Sequence, residues 1–139
     1  MTRSHEPLIR LARFKVEELQ KQMAELDRSR AALIGQIERL EASVPEEQAA
    51  ATQSKEGYVA YGSYAQAVIK RKENIRASLD EVDVQADALR DRLSEAFTDL
   101  KKYELLEERR LARIEQSVRA AEQDELDEIA QIRHGRSSH

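Results

Sequence analysis

The chain contains no cysteine and no tryptophan, and its 139 residues include only two prolines, four glycines, four tyrosines and two phenylalanines. Each shortage excludes something. Without cysteine there is no disulfide framework, no thiolate metal site and no thiol nucleophile, a usage that fits a reducing cytoplasm. With aromatics at 4% there is little bulk for a thick core. Gly35, Gly57, Gly62 and Gly135 are too scattered for a phosphate-binding loop. The three histidines, His5, His134 and His139, lie at the two ends, and no Glu-x-x-His pair occurs, so a carboxylate-bridged di-iron bundle is not expected. No apolar run is long enough to span a membrane. The opening "MTRSHEPLIRLARFK" has no apolar h-region and does not read as a secretory signal. Ser and Thr residues have no nearby base. The expectation is a non-enzymatic protein with no catalytic residue, no metal site and no cofactor.

Charge is what the chain has in quantity. Charged residues make up 36%, with 23 basic and 27 acidic side chains closely mixed and a net charge of −4. A nucleic-acid binder more often shows a basic stripe, so no nucleic acid is expected. Ala, Glu, Leu, Arg and Lys dominate, which is the composition of long helices and coiled coils.

The apolar residues are ordered. Steps of alternately three and four from Ile9 meet Ala12, Val16, Leu19, Met23, Leu26, Arg30, Leu33, Ile37, Leu40 and Val44. Only Arg30 is polar. This is a narrow coiled-coil seam, with Leu at most of one set of heptad positions and Ile, Val or Met at most of the other. Arg30 costs stability but can set register, with Asp83 as its partner. Pro7 falls in the first turn, where its missing N–H costs nothing. In "SVPEE", Ser43, Pro45 and Glu46 read as a helix that breaks or kinks and restarts.

A second seam runs Tyr58, Tyr61, Ala65, Val68, Lys72, Ile75, Leu79, Val82, Ala86, Leu89, Leu93, Ala96, Leu100 and Tyr103. Its rhythm then slips: Glu107, Leu111, Ile114, Val118 and Ala121 continue it only through two consecutive four-residue steps. Such a stutter locally unwinds a left-handed supercoil. Leu126, Ile129 and Ile132 form a last stripe, Gly135 is a candidate helix stop, and residues 134–139 read as a disordered tail.

These patterns predict an all-α fold: a long antiparallel two-helix coiled-coil hairpin with a C-terminal helical overhang. As one coiled-coil domain, residues 1–139 divide into helix 1 over about 5–42, a kinked extension over about 45–53, a tip at about 54–60 and helix 2 over about 60–133. Folding the chain back at "QSKEGY" sets Leu19 opposite Leu93, Leu26 opposite Ala86 and Leu40 opposite Lys72. Shifts of one heptad, with Leu19 opposite Ala86 or Leu100, align the seams equally well. The mix of β-branched residues and Leu suits a parallel dimer, but the short tether gives helix 2 an effective concentration near millimolar, so a monomeric hairpin is expected when the protein is free. Gly57 and Gly62 supply backbone freedom at the reversal. Tyr58, Tyr61 and Tyr64 cover the tip with their hydroxyls in water, or form a partner surface there.

In the chosen register helix 1 runs out near residue 100. Residues 104–133 are then unpaired, exposing Leu105, Leu106, Leu111, Ile114, Val118, Leu126 and Ile129 as a docking helix. The candidate partner-binding residues are Tyr61, Tyr64, Leu106, Leu111, Ile114, Val118, Arg109 and Arg110. The acidic run "EQDELDE" lacks the glycine turn and spacing of a calcium loop and reads as a solvated face or a contact with a basic partner. Glu107 with Arg110 and Glu115 with Arg119 are spaced to pair along the helix.

Three stretches resemble the FliJ family of flagellar export proteins. They are "LIRLARFKVEELQKQMAEL", the tyrosine-led "YGSYAQAVIKRKENI" and "KKYELLEERRLARIEQSVRAAEQDELDEIA". The resemblance covers nearly the whole chain. It implies a stalk-like coiled coil, cytoplasmic and peripheral at the inner face of the inner membrane. Its implied partners are the hexameric flagellar export ATPase, the export gate membrane protein and export chaperones, with the paired helix ends inserted into the ATPase ring. The "SVPEEQAAATQ" segment departs from the family's pattern before the tip. A generic coiled-coil scaffold, or the equivalent stalk of a virulence type III secretion system, also fits these residues. A zipper-type DNA binder, suggested by "RLARFK", fits them less well because that segment is mixed with acids.

Overall fold

A computed structural model describes residues 3–137 of the chain. They form two helices, α1 (Glu6–Ala51) and α2 (Lys55–Ser137), with no strand among the described residues. By compactness the chain divides into one unit of Val16–Glu95 and another of Met1–Lys15 with Ala96–His139.

In the Val16–Glu95 unit the two helices run antiparallel around the seam. Val16, Leu19, Val68, Ile75, Ala86 and Leu89 are buried. Met23, Leu26, Leu33, Ile37, Leu40, Val44, Leu79, Val82 and Leu93 are half-buried. The half-burial follows from the architecture: with only two helices, each seam residue is covered by its opposite neighbours and stays open to water at the sides. The register is the one that sets Leu19 against Leu93. Arg30 Nε lies 3.2 Å from Asp83 Oδ1, and Lys72 Nζ lies 3.0 Å from Glu41 Oε1. Gln22, Glu25, Leu26 and Ser29 share a groove with Gln85, Ala88, Leu89 and Arg92. A heptad shift in either direction would carry these residues about 10 Å apart along the axis.

The expected break at Ser43–Glu46 is not there. α1 passes through Pro45 without interruption to Ala51. The proline removes the hydrogen bond that would reach the Glu41 carbonyl, but contacts on either side hold the helix. Ser43 Oγ donates to the Leu40 carbonyl at 2.7 Å and is hydrogen-bonded to the Tyr64 hydroxyl, while the Glu41 carboxylate pairs with Lys72. The Tyr64 hydroxyl is therefore engaged within the hairpin and is not simply in water.

The reversal is also shorter than the expected tip over 54–60, occupying Thr52–Ser54. Ser54 caps α2: its Oγ accepts from the Gly57 N–H at 2.9 Å and its carbonyl accepts from the Tyr58 N–H at 3.3 Å. Thr52 Oγ1 closes the end of α1 onto the Ala49 carbonyl at 2.8 Å. No glycine has a positive φ, so backbone freedom is not why glycine stands here. Gly57 stands at a close approach: a Cβ on it would lie 3.0 Å from the Ala51 carbonyl oxygen and 3.2 Å from Ala51 Cα, tighter than an ordinary van der Waals contact. Gly62 lies inside α2 facing open space, and Gly135 does not stop the helix, which continues to Ser137. The expected tail over 134–139 is thus helical through Ser137, and residues 138 and 139 lie outside the described residues.

Candidate partner-binding surfaces

The other unit joins the start of α1 to the second half of α2. Ile9, Ala12 and Ala96 are buried, and Leu100 and Tyr103 are half-buried against them. A groove of about 160 Å³ runs beside this seam, lined by Leu8, Leu11, Ala12, Lys15, Ala96, Asp99 and Tyr103.

The seam ends on a charged residue. Glu107 is only 8% exposed. Its Oε2 accepts from the His5 backbone N–H at 2.8 Å and from Ser4 Oγ at 3.2 Å, and its Oε1 accepts from Arg110 Nε. Ser4 Oγ in turn accepts from the Glu6 N–H at 3.2 Å. A carboxylate on α2 therefore accepts the backbone N–H of the residue just before α1, and holds the Ser4 hydroxyl that caps the Glu6 N–H, at a helix end whose dipole also favours negative charge. His5 Nδ1 is buried without a hydrogen-bond partner, 3.8 Å from Glu107 Oε2. The Arg110 guanidinium, together with the His5 N–H and the Ser4 hydroxyl, holds the Glu107 carboxyl below the usual carboxylate range, against the opposing effect of burial.

This cap moves the start of the uncovered segment. Sequence spacing has it begin at residue 104, but Leu106 is half-buried, Glu107 is buried and Arg110 is half-buried in its ion pair. Leu106 and Arg110 therefore belong to the helix junction, whereas Arg109 is exposed. From Leu111 to Arg136 every residue is exposed. Leu111 is 54% exposed, Ile114 45% and Val118 51%, and Leu126, Ile129 and Ile132 follow in the same state. Leu111, Ile114 and Val118 sit at the seam spacing of α2, so this is a coiled-coil face without a second helix. Glu115 is paired with Arg119, as the spacing suggests. Beside the reversal, in the Val16–Glu95 unit, Tyr58 is exposed, while Tyr61 and Tyr64 are half-buried. The candidate residues thus fall into three separate places: the tyrosine end, the Glu107 junction and the bare face beyond it.

The role of Glu107 is invisible to spacing, because a single acidic residue in a seam looks like a defect until Ser4 and His5 are brought to it. Ser54 is different. A serine before "KEG" at the end of an Ala-rich run is an N-cap signal, obscured here by the competing Ser43 and Glu46.

Among the described residues no group of three or more His, Asp or Glu side chains is placed to hold a metal ion, and no helix is long and apolar enough to cross a membrane. The fold and its surfaces define an all-α coiled-coil hairpin whose second helix presents an unpaired amphipathic face from Leu111 onward. The family described as Flagellar FliJ protein matches residues 3–139. Two relatives named Flagellar FliJ protein, from Caulobacter vibrioides strains NA1000 / CB15N and ATCC 19089 / CIP 103742 / CB 15, are each 30% identical over 134 residues, covering 94% of this chain and 94% of the relative. The chain belongs to the flagellar FliJ protein family, whose members are components of flagellar protein export. No solved structure matches it.

Proposed function

We propose that this protein is a non-catalytic stalk and escort of the flagellar export apparatus, linking the hexameric export ATPase to the export gate membrane protein and to export chaperones at the cytoplasmic face of the inner membrane. The observation that carries this reading is the exposed apolar face of α2 beginning at Leu111. A helix with Leu, Ile and Val bare at seam spacing gains nothing from them within its own chain, and burying them in a partner returns the hydrophobic free energy. The export ATPase ring is the occupant that family membership favours.

The test is the double substitution Leu111→Glu and Ile114→Glu. Both side chains lie beyond the covered seam, so the melting temperature should change little. Binding to the export ATPase hexamer should be lost, because each new carboxylate would have to leave water in an apolar contact. Motility should fall at normal protein abundance. A variant that folds and still binds the ring would move the contact to the tyrosine end.

A further inference from the structure

The uncovered face of α2 changes character along its length. Over Leu111–Ala121 its charges include the Glu115–Arg119 pair. Over the next stretch they do not balance. Leu126, Ile129 and Ile132 recur every three residues and are exposed. Glu122, Glu125 and Glu128 stand four residues before each of them, and positions four apart are neighbours on a helix surface. Every apolar side chain of this row therefore has a carboxylate beside it. No described cation pairs with Glu122, Glu125 or Glu128, in contrast to Glu107 and Glu115.

That juxtaposition restricts what can cover the row. Burying Leu126, Ile129 and Ile132 brings their neighbouring carboxylates to the edge of the contact, where they lose part of their hydration. An uncharged or acidic occupant would leave them uncompensated. An occupant with cations flanking its own apolar seam turns the same row into an attractive term and a source of orientation. We propose that residues 111–132 of α2 dock a basic amphipathic helix of a partner protein, seam against seam, with its Lys or Arg side chains over Glu122, Glu125 and Glu128. The inference rests on the reading that this segment is a docking element, and adds the charge and form of what it receives.

The test uses the full chain and two synthetic amphipathic peptides with the same Leu/Ile seam, one flanked by lysines and one by glutamates. The lysine peptide should bind at least about tenfold more tightly, and the preference should shrink as salt screens the flanking charges. Glu125→Lys with Glu128→Lys should reverse the preference. Ile129→Ser with Ile132→Ser should abolish binding of both peptides, and circular dichroism should confirm unchanged helix content in each variant. Equal binding of the two peptides overturns the proposal. So does lysine-peptide binding that survives the serine substitutions, which would be surface charge alone. Sedimentation showing residues 111–132 paired with a second copy of the chain also overturns it. Binding to the export ATPase hexamer separates the two readings. If Leu111→Glu with Ile114→Glu abolishes ring binding while Glu125→Lys with Glu128→Lys leaves it intact, the basic-helix inference fails and the docking reading stands. If the peptide preference holds but the wild-type chain does not bind the ring, the inference stands and the ATPase assignment fails.

Discussion

Glu107 shows how one side chain sets a boundary. Its carboxylate receives Ser4, the His5 N–H and Arg110, so the first turn of α1 is anchored at that level of α2. Because its pKa is lowered in the folded chain, ionisation favours the folded form. The contribution is complete above the ordinary value of 4.5 and is lost as the pH falls through the lowered value. Hydrogen exchange at the His5 amide should therefore quicken, relative to its intrinsic rate, as the solution is acidified below pH 4.5. In Glu107→Gln the amide should be less protected at neutral pH and nearly insensitive to acid. An unchanged wild-type protection factor at low pH would mean that the carboxylate does not hold the junction. The two glycines near the reversal make a second residue-scale contrast. Gly62→Ala faces open space and should stabilise by up to about 1 kcal/mol through helix propensity. Gly57→Ala gains the same propensity but forces a methyl against the Ala51 backbone, with an overpacking cost of about 1–3 kcal/mol. Thermal melts should move in opposite directions for the two.

At the scale of the element, α1 contains a residue that an isolated helix would not tolerate. Pro45 stands inside it, seven residues before the turn begins at Thr52. Pairing with α2 through Lys72 and Tyr64 overrides the local preference for a break. Pro45→Ala should then raise stability by about 1–3 kcal/mol, because the helical geometry is already present and only the penalty is removed. A lower melting temperature would show that the proline is needed where it stands. Seam residues give less than their type suggests, since two helices cover them only partly. Leu26 is half-buried opposite the small Ala86, so Leu26→Ala should cost about 1–2 kcal/mol, below the range for a fully enclosed leucine. Denaturant titration would report it as a lower midpoint at an unchanged slope.

At the scale of the molecule the question is whether the seam closes within one chain. Cysteines introduced as Leu19→Cys and Leu93→Cys should cross-link under mild oxidation to a species that remains monomeric on a denaturing gel. The pair Leu19→Cys and Leu100→Cys should not. Dimer bands, or preference for the second pair, would replace the hairpin register with another. The bare face of α2 is a seam that runs on past the residues that cover it, an apolar face left in water.

Periodicity alone predicted a helical chain, two seams that can be laid against each other and a last apolar stripe that continues past them. Seam positions are local information, written every three or four residues, and from Ile9 to Tyr103 they are covered at all but Arg30 and Tyr58. The tertiary structure decided the rest. It carried α1 through Pro45, because cross-helix contacts outweigh the missing hydrogen bond. It moved the reversal to Thr52–Ser54, because Gly57 lets the ends of the helices approach closely. It also ended the covered region at Arg110 rather than before residue 104. Ser4, His5 and Glu107 are about a hundred positions apart in the chain, and only packing of the two helices brings the donors of one terminus to the carboxylate of the other. No pattern confined to a few consecutive residues carries that meeting, which is why the junction was legible only once the helices were in place.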